Sequence, residues 1–179
     1  MKIAISGHTK GIGKCIFDNI TSNGFSRTNG FDITNPDNFI ESIKNFDVFI
    51  NNTFHPIYQK EIFEKLFSIW KYEEKTIINI LNLSTLLIDD LNTQHEYFKS
   101  KQLFKESIQK TLLKNKNKKV RVVNLFVGTM ENHNNYFGKN KVKYEDIINT
   151  IKFVLKTPHS IEYAFISIGC TTEYENTLI

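Results

Sequence analysis

The sequence predicts an α/β domain, a doubly wound and mostly parallel sheet of about six strands with helices on both faces. Three observations lead there. Short apolar runs rich in β-branched residues alternate with longer segments of helical spacing. Those longer segments have the length of crossover helices, which makes successive strands parallel. The short runs are nearly continuous in apolar character, as in strands covered on both faces.

In chain order, Lys2–Ser6 is the first strand, and Gly11–Ser22 follows with helical spacing. Phe25–Thr28 is a weaker strand. Asn35-Pro36-Asp37 opens the helix Asn38–Lys44, with a capping asparagine ahead of a proline in the first turn. Phe46–Asn51 is a strand, then Ile57–Lys71 a helix. Thr76–Ser84 precedes the helix Glu96–Asn115, and Val120–Phe126 precedes Tyr144–Lys156. Glu162–Ile168 completes the sheet. With no internal repeat, linker or composition break, residues 1–179 are expected to form one domain with a substantial core.

Composition narrows the function classes. The net charge is +4, and of 23 basic residues only Arg27 and Arg121 are arginine. The lysine excess, with two alanines and many Asn, Ile and Phe, reads as coding bias rather than selection for a polyanion, so no nucleic-acid partner is expected. The run Lys114–Lys119 reads as a solvated turn. No apolar run approaches the roughly 20 residues of a membrane span, so no membrane partner is expected. MKIAISGH has too short an apolar stretch for a signal peptide. Cys15 and Cys170 are too few for a disulfide framework, which makes a reducing, cytoplasmic setting the default. The five histidines have no metal spacing, and no metal site is expected.

Chemistry concentrates at two places. The first strand runs into Gly7-His-Thr9-Lys10-Gly11-Ile12-Gly13, and a helix follows. Glycines let the backbone turn tightly and approach a ligand, while a helix N-terminus offers free N–H groups to a phosphate. This is where a Rossmann-like fold holds a dinucleotide. About 20 residues past Gly7, where an acid reads NAD and an arginine accommodates the 2′-phosphate of NADP, stands Arg27. NADP is therefore expected rather than NAD, with Lys10 as a second cation near that phosphate. The second place is the end of the strand Thr76–Ser84 together with Tyr97 and Lys101, an i,i+4 pair on one helix face. An ammonium beside a phenol favours the phenolate and makes tyrosine a usable proton donor and acceptor. A serine hydroxyl at the strand end can hold a carbonyl oxygen beside it. The protein has no hydride donor of its own, so a nicotinamide would provide it.

These elements together resemble the short-chain dehydrogenase/reductase family over nearly the whole chain. SGHTKGIG resembles its TGxxxGIG cofactor loop, which assigns Gly7, Gly11 and Gly13 to the cofactor, with Thr9, Lys10 and Ile12 in the same loop. Asp32-Ile33 is similar to the pair that contacts adenine. Asn51-Asn52 resembles the start of NNAG, and Gly128-Thr129 the loop beside the nicotinamide. Ser84, Tyr97 and Lys101 fall on the catalytic serine, tyrosine and lysine, and Lys101 also takes the nicotinamide ribose. The resemblance implies an NAD(P)-dependent oxidoreductase acting on a small-molecule carbonyl or alcohol, as a homodimer or homotetramer.

Four departures stand out. Phe54 replaces a small residue of NNAG. Val127-Gly128 lacks the family's proline. Residues 57–75 contain no asparagine to match the family's further catalytic one. The chain is also short, with no room for a helix between Phe25–Thr28 and Asp32 and only Met130–Val142 as a lid. These departures keep open an alternative, a cofactor-binding regulatory or scaffold protein without turnover.

Overall fold

The computed structural model describes residues 1–83, 85, 96–131, 141–162 and 165–168. Within them six strands form one sheet: β1 Ile3–Ser6, β2 Asn23–Phe25, β3 Val48–Asn51, β4 Thr76–Asn82, β5 Arg121–Val127 and β6 Phe165–Ile168. The spatial order is β2-β1-β3-β4-β5-β6, and each neighbouring pair is parallel. Five α-helices are described: α1 Gly11–Asn19, α2 Pro36–Ile43, α3 Tyr58–Trp70, α4 Glu96–Lys114 and α5 Tyr144–Lys156. The sequence-predicted fold class is the one observed. Compared with the usual 3-2-1-4-5-6 order, the described residues contain no outer strand and helix beyond β2.

Strand alternation sends side chains into two layers. Ala4, Phe49, Ile77, Leu81, Val122 and Phe126 pack under α2, α3 and α4. Ile5, Val48, Ile50, Ile78, Val123 and Leu125 pack under α1 and α5. Burial on both faces explains why β4 and β5 read as continuous apolar runs. Phe63 and Phe67, which share a helix face, serve sheet packing, because both are buried under α3. Trp70 is fully buried at the end of α3 and donates its indole N–H to the Lys44 carbonyl at 2.8 Å.

Local chemistry sets the element ends. Asn35 caps α2 by accepting from the Asn38 N–H, and Pro36 begins the helix, as its sequence predicts. The second strand differs from expectation: it spans Asn23–Phe25 instead of Phe25–Thr28. It pairs with β1 from Ala4↔Asn23 to Ser6↔Phe25 and then stops. Past it, Ser26 and Asn29 exchange hydrogen bonds around a 3-10 turn, and Gly30 takes a left-handed conformation to close that turn. This turn chemistry in Ser26-Arg-Thr-Asn-Gly30 overrides the β-branched pattern. Of the strand expected at Thr76–Ser84, Ser84 lies outside the described residues. So do two residues of Glu162–Ile168, numbers 163 and 164.

Arg121 locks one end of the sheet. Its buried guanidinium donates to the Val154, Thr157 and Pro158 carbonyls at the C-terminus of α5 and reaches the Thr76 hydroxyl at 3.3 Å. A cation at a helix C-terminus favours the dipole and satisfies carbonyls that the helix cannot. Arg121→Met should therefore destabilise the protein by about 2–4 kcal/mol, because several carbonyls lose their donor inside the core. The check is a urea titration, in which the midpoint falls and the slope stays constant.

Candidate functional site

The site opens where the chain reverses direction across the sheet, between the C-terminal ends of β1 and β3. A cavity of about 480 Å³ lies there. Gly7, Thr9 and Lys10 line one wall, Arg27 and Thr28 a second, and Asp32 to Thr34 a third, with Asn52 to His55 closing it. The glycine turn is dictated by contact. Gly7 has φ +68° and donates its N–H to the Phe25 carbonyl at 2.9 Å. A Cβ on Gly13 would stand 2.1 Å from the Gly7 carbonyl oxygen, so α1 can begin this close to β1 only with glycine. No side chain caps α1, whose first-turn N–H groups remain available at the cavity end of the helix.

The rest of the wall is fixed by hydrogen bonds. The Ser6 hydroxyl accepts from the Asn52 and Thr53 N–H groups at 3.0 and 3.1 Å. The Asn52 amide donates to the Ser6 and Gly7 carbonyls. Asp32 accepts from the Thr34 N–H at 2.9 Å, and that bond is the main cause holding its carboxyl below the usual carboxylate range. Arg27 projects from the 3-10 turn as an exposed residue on the cavity rim, although the strand meant to carry it ends earlier.

A second cluster lies on the α3/α4 side of β3 and β4. Lys101 of α4 is only 4% exposed. Its ammonium donates to Gln59 Oε1 at 2.8 Å and to the Ile80 carbonyl at 3.5 Å. It also lies 5.4 Å from the Phe54 ring centre and 6.0 Å from that of Tyr97. Burial pushes the Lys101 ammonium down to about 7. Phe54 packs on Tyr97 with ring centroids 4.7 Å apart, while also lining the cavity beside the glycine turn. Phe54 thus joins the two clusters.

The structure brings Gly7, Thr9, Lys10, Arg27, Asp32 and Asn52 to one cavity. Gly11, Ile12 and Gly13 form the first turn of α1 beneath it. Tyr97 and Lys101 meet on one face of α4. Gly128 and Thr129 sit just past β5, where the Gly128 N–H bonds the Ile168 carbonyl and Thr129 accepts from Val142. Asn51 goes elsewhere than expected: its buried amide faces the α3 side and bonds the Gln59 carbonyl and Asn79. Ser84 lies outside the described residues. Gln59 went unpredicted. Its signal is its place at the head of the apolar stripe Ile62, Phe63, Leu66 and Trp70, a polar residue where helical spacing demands burial. Among the described residues no group of His, Cys, Asp and Glu is arranged to hold a metal ion, and no helix is long and apolar enough to cross a membrane.

No protein-family model matches the chain, and no curated protein matches it. Solved structures match in fold. An alcohol dehydrogenase from the archaeon Thermococcus sibiricus complexed with 5-hydroxy-NADP is similar over 96% of this chain and 97% of its own, with 14% identity and a TM-score of 0.69. A short-chain dehydrogenase/reductase from Vibrio parahaemolyticus is similar over 93% and 98%, with 12% identity and a TM-score of 0.71. For serine dehydrogenase from Escherichia coli the figures are 96% and 99%, 13% and 0.70. The chain has the fold of the short-chain dehydrogenases/reductases.

Two alanine substitutions separate backbone contact from backbone conformation. Gly11 has φ +58° but open space around its Cβ position. Gly11→Ala should cost about 1–2 kcal/mol of strain. Gly13→Ala must displace the Gly7 carbonyl, and should cost more. Thermal melting with and without NADPH checks both variants.

Proposed function

We propose that the protein is an oxidoreductase that transfers hydride between NADP(H) and a small carbonyl or alcohol substrate. The observation that carries this reading is the Tyr97–Lys101 pair, held at the C-terminal side of β4 next to a glycine-turn cavity. The cavity residues fit a dinucleotide. The close Gly13–Gly7 approach leaves backbone N–H groups facing a pyrophosphate. Arg27 and Lys10 give a 2′-phosphate two cations on one rim. Asp32 and Ile33, in the same cavity, would take the adenine, and Gly128 and Thr129, just past β5, would face the nicotinamide. When bound, the cofactor supplies the hydride that no side chain can.

The chain's own residues supply the rest. Lys101, whose ammonium lies 6.0 Å from the Tyr97 ring centre, would hold the nicotinamide ribose beside that tyrosine. Tyr97 would give its phenolic proton to the carbonyl oxygen, the proton half of reducing a ketone to an alcohol. Ser84 is assigned the task of orienting the oxygen. Residues 1–179 are read as one nucleotide-binding domain, and the protein as a cytoplasmic homodimer or homotetramer. The two cysteines support the reducing setting, and Phe165 exposed on β6 supports association.

One observation favours the alternative of a cofactor-binding regulatory or scaffold protein: Phe54, which lines the cavity, packs on Tyr97 with the rings tilted by 52°. Turnover decides between the two readings. Tyr97→Phe should lower carbonyl-dependent NADPH oxidation about 100-fold or more and leave NADPH affinity intact. Wild-type protein that binds NADPH but reduces none of a ketone and aldehyde panel would support the regulatory reading. Arg27→Ala should weaken NADPH binding about 10-fold, the value of one charge-assisted contact, and leave NADH unchanged. Fluorescence titration with both cofactors measures this, and tighter NADH binding by the wild type would remove the role given to Arg27.

A further inference from the structure

We propose that Gln59 is the positioning residue of this site: its side-chain amide oxygen fixes where the Lys101 nitrogen stands and stabilises its protonated form. The inference rests on the oxidoreductase reading only for its effect on turnover.

The geometry begins with an unusual row of amides. Asn51, Asn79 and Asn124 are register partners on β3, β4 and β5, and all three are buried. Asn51 donates to Asn79 at 3.3 Å, and Asn79 donates to Asn124 at 2.9 Å. Alternation places the row on the sheet face covered by α3 and α4, level with Gln59. There the Asn51 amide also donates to the Gln59 backbone carbonyl, and Gln59 Nε2 donates to the Asn51 carbonyl at 3.2 Å. These bonds settle which end of the glutamine amide points where. With Nε2 committed to Asn51, Oε1 must face Lys101. A flipped amide would set NH₂ against an ammonium and oxygen against a carbonyl oxygen.

Lys101 depends on that oxygen. Among the described residues no carboxylate lies within ion-pair distance of it. Its remaining contacts are the longer bond to Ile80 and the faces of Phe54 and Tyr97. The neighbouring ionisable groups are engaged elsewhere. On α4, Lys105 donates to the Thr85 carbonyl. On α3, Glu64 accepts from Ser107 and pairs with Lys60, and in the preceding loop His55 stacks on Tyr58. β4 contributes only its carbonyl. For a buried ammonium the one short acceptor is the strongest stabiliser of the charged form, with the longer Ile80 bond and the two ring faces beside it. Since burial already brings Lys101 to about 7, small changes at Gln59 move its charge across neutral pH.

The test follows the Lys101 ¹³Cε resonance by NMR across a pH series, a readout independent of turnover. Gln59→Met, similar in length and without an acceptor, should move the Lys101 midpoint down by about one pH unit. Gln59→Glu keeps an oxygen in place and adds charge, and should move the midpoint up. In kinetics, Gln59→Met should lower kcat more than it raises the NADPH KM, with activity declining at lower pH than in the wild type. Gln59→Glu should displace that decline to higher pH. An unmoved Lys101 midpoint in the folded variants overturns the proposal; if Gln59→Met fails to fold, Gln59→Glu decides alone. If no protein reduces any carbonyl, the oxidoreductase reading falls, and the NMR midpoints still decide the role of Gln59.

Discussion

The Ser6 hydroxyl joins the two strand ends between which the site opens. The β1–β3 ladder runs to the pair Ile5↔Ile50. Beyond that pair the backbones diverge, one toward the glycine turn and the other toward Phe54. The N–H groups of Asn52 and Thr53 would lose their ladder partners there, and Ser6 accepts both while reaching back to the Ile50 carbonyl. The separation is therefore fixed at its root. The Asn52 amide spans it from the other side by bonding the Ser6 and Gly7 carbonyls. Those two side chains hold the Gly7–Gly13 turn at its distance from Phe54, and so set the width of the cavity mouth.

Polar groups inside this sheet are arranged in connected sets. The asparagine row, Gln59 and Lys101 form one set, in which every bond named satisfies a group that would otherwise be buried without a partner. Arg121 and the end of α5 form another at the opposite end of the strands. The two arginines divide the work. Arg121 uses its rigid fork inside the fold, while Arg27 remains at the cavity rim. Several lysines stand in exposed pairs of small energetic weight, such as Lys14–Asp18. Lys101 and Lys105 are exceptions, buried on one face of α4 and bonded to neutral oxygens.

Features set by local contact were legible in the sequence. Gly7 and Gly13 announce a turn because only glycine fits where strand and helix nearly touch. Asn35-Pro36 announces a helix start because the cap is made within four residues. Tyr97 and Lys101 were legible because one helix face carries both. The end of β2 was not, since pairing with β1 and the Ser26–Asn29 exchange decide it together. Asn51 and Asn52 look equivalent in sequence, yet alternation turns one toward α3 and the other toward the glycine turn. Gln59 escaped notice because its role exists only when β3, α3 and α4 converge.

The solitary burial of Lys101 has a consequence for folding itself. In an unfolded chain this lysine binds its proton up to about pH 10.5, whereas in the native protein it releases it near 7. Between those values folding expels a proton. The native state therefore gains stability as pH rises across that window, and loses it as pH falls back toward 7. Below 7 the charge is carried into the core, where the Gln59 and Ile80 oxygens and the Phe54 and Tyr97 rings face it. The contribution of the buried Lys101 to stability is thus more favourable in mildly alkaline solution than in acid.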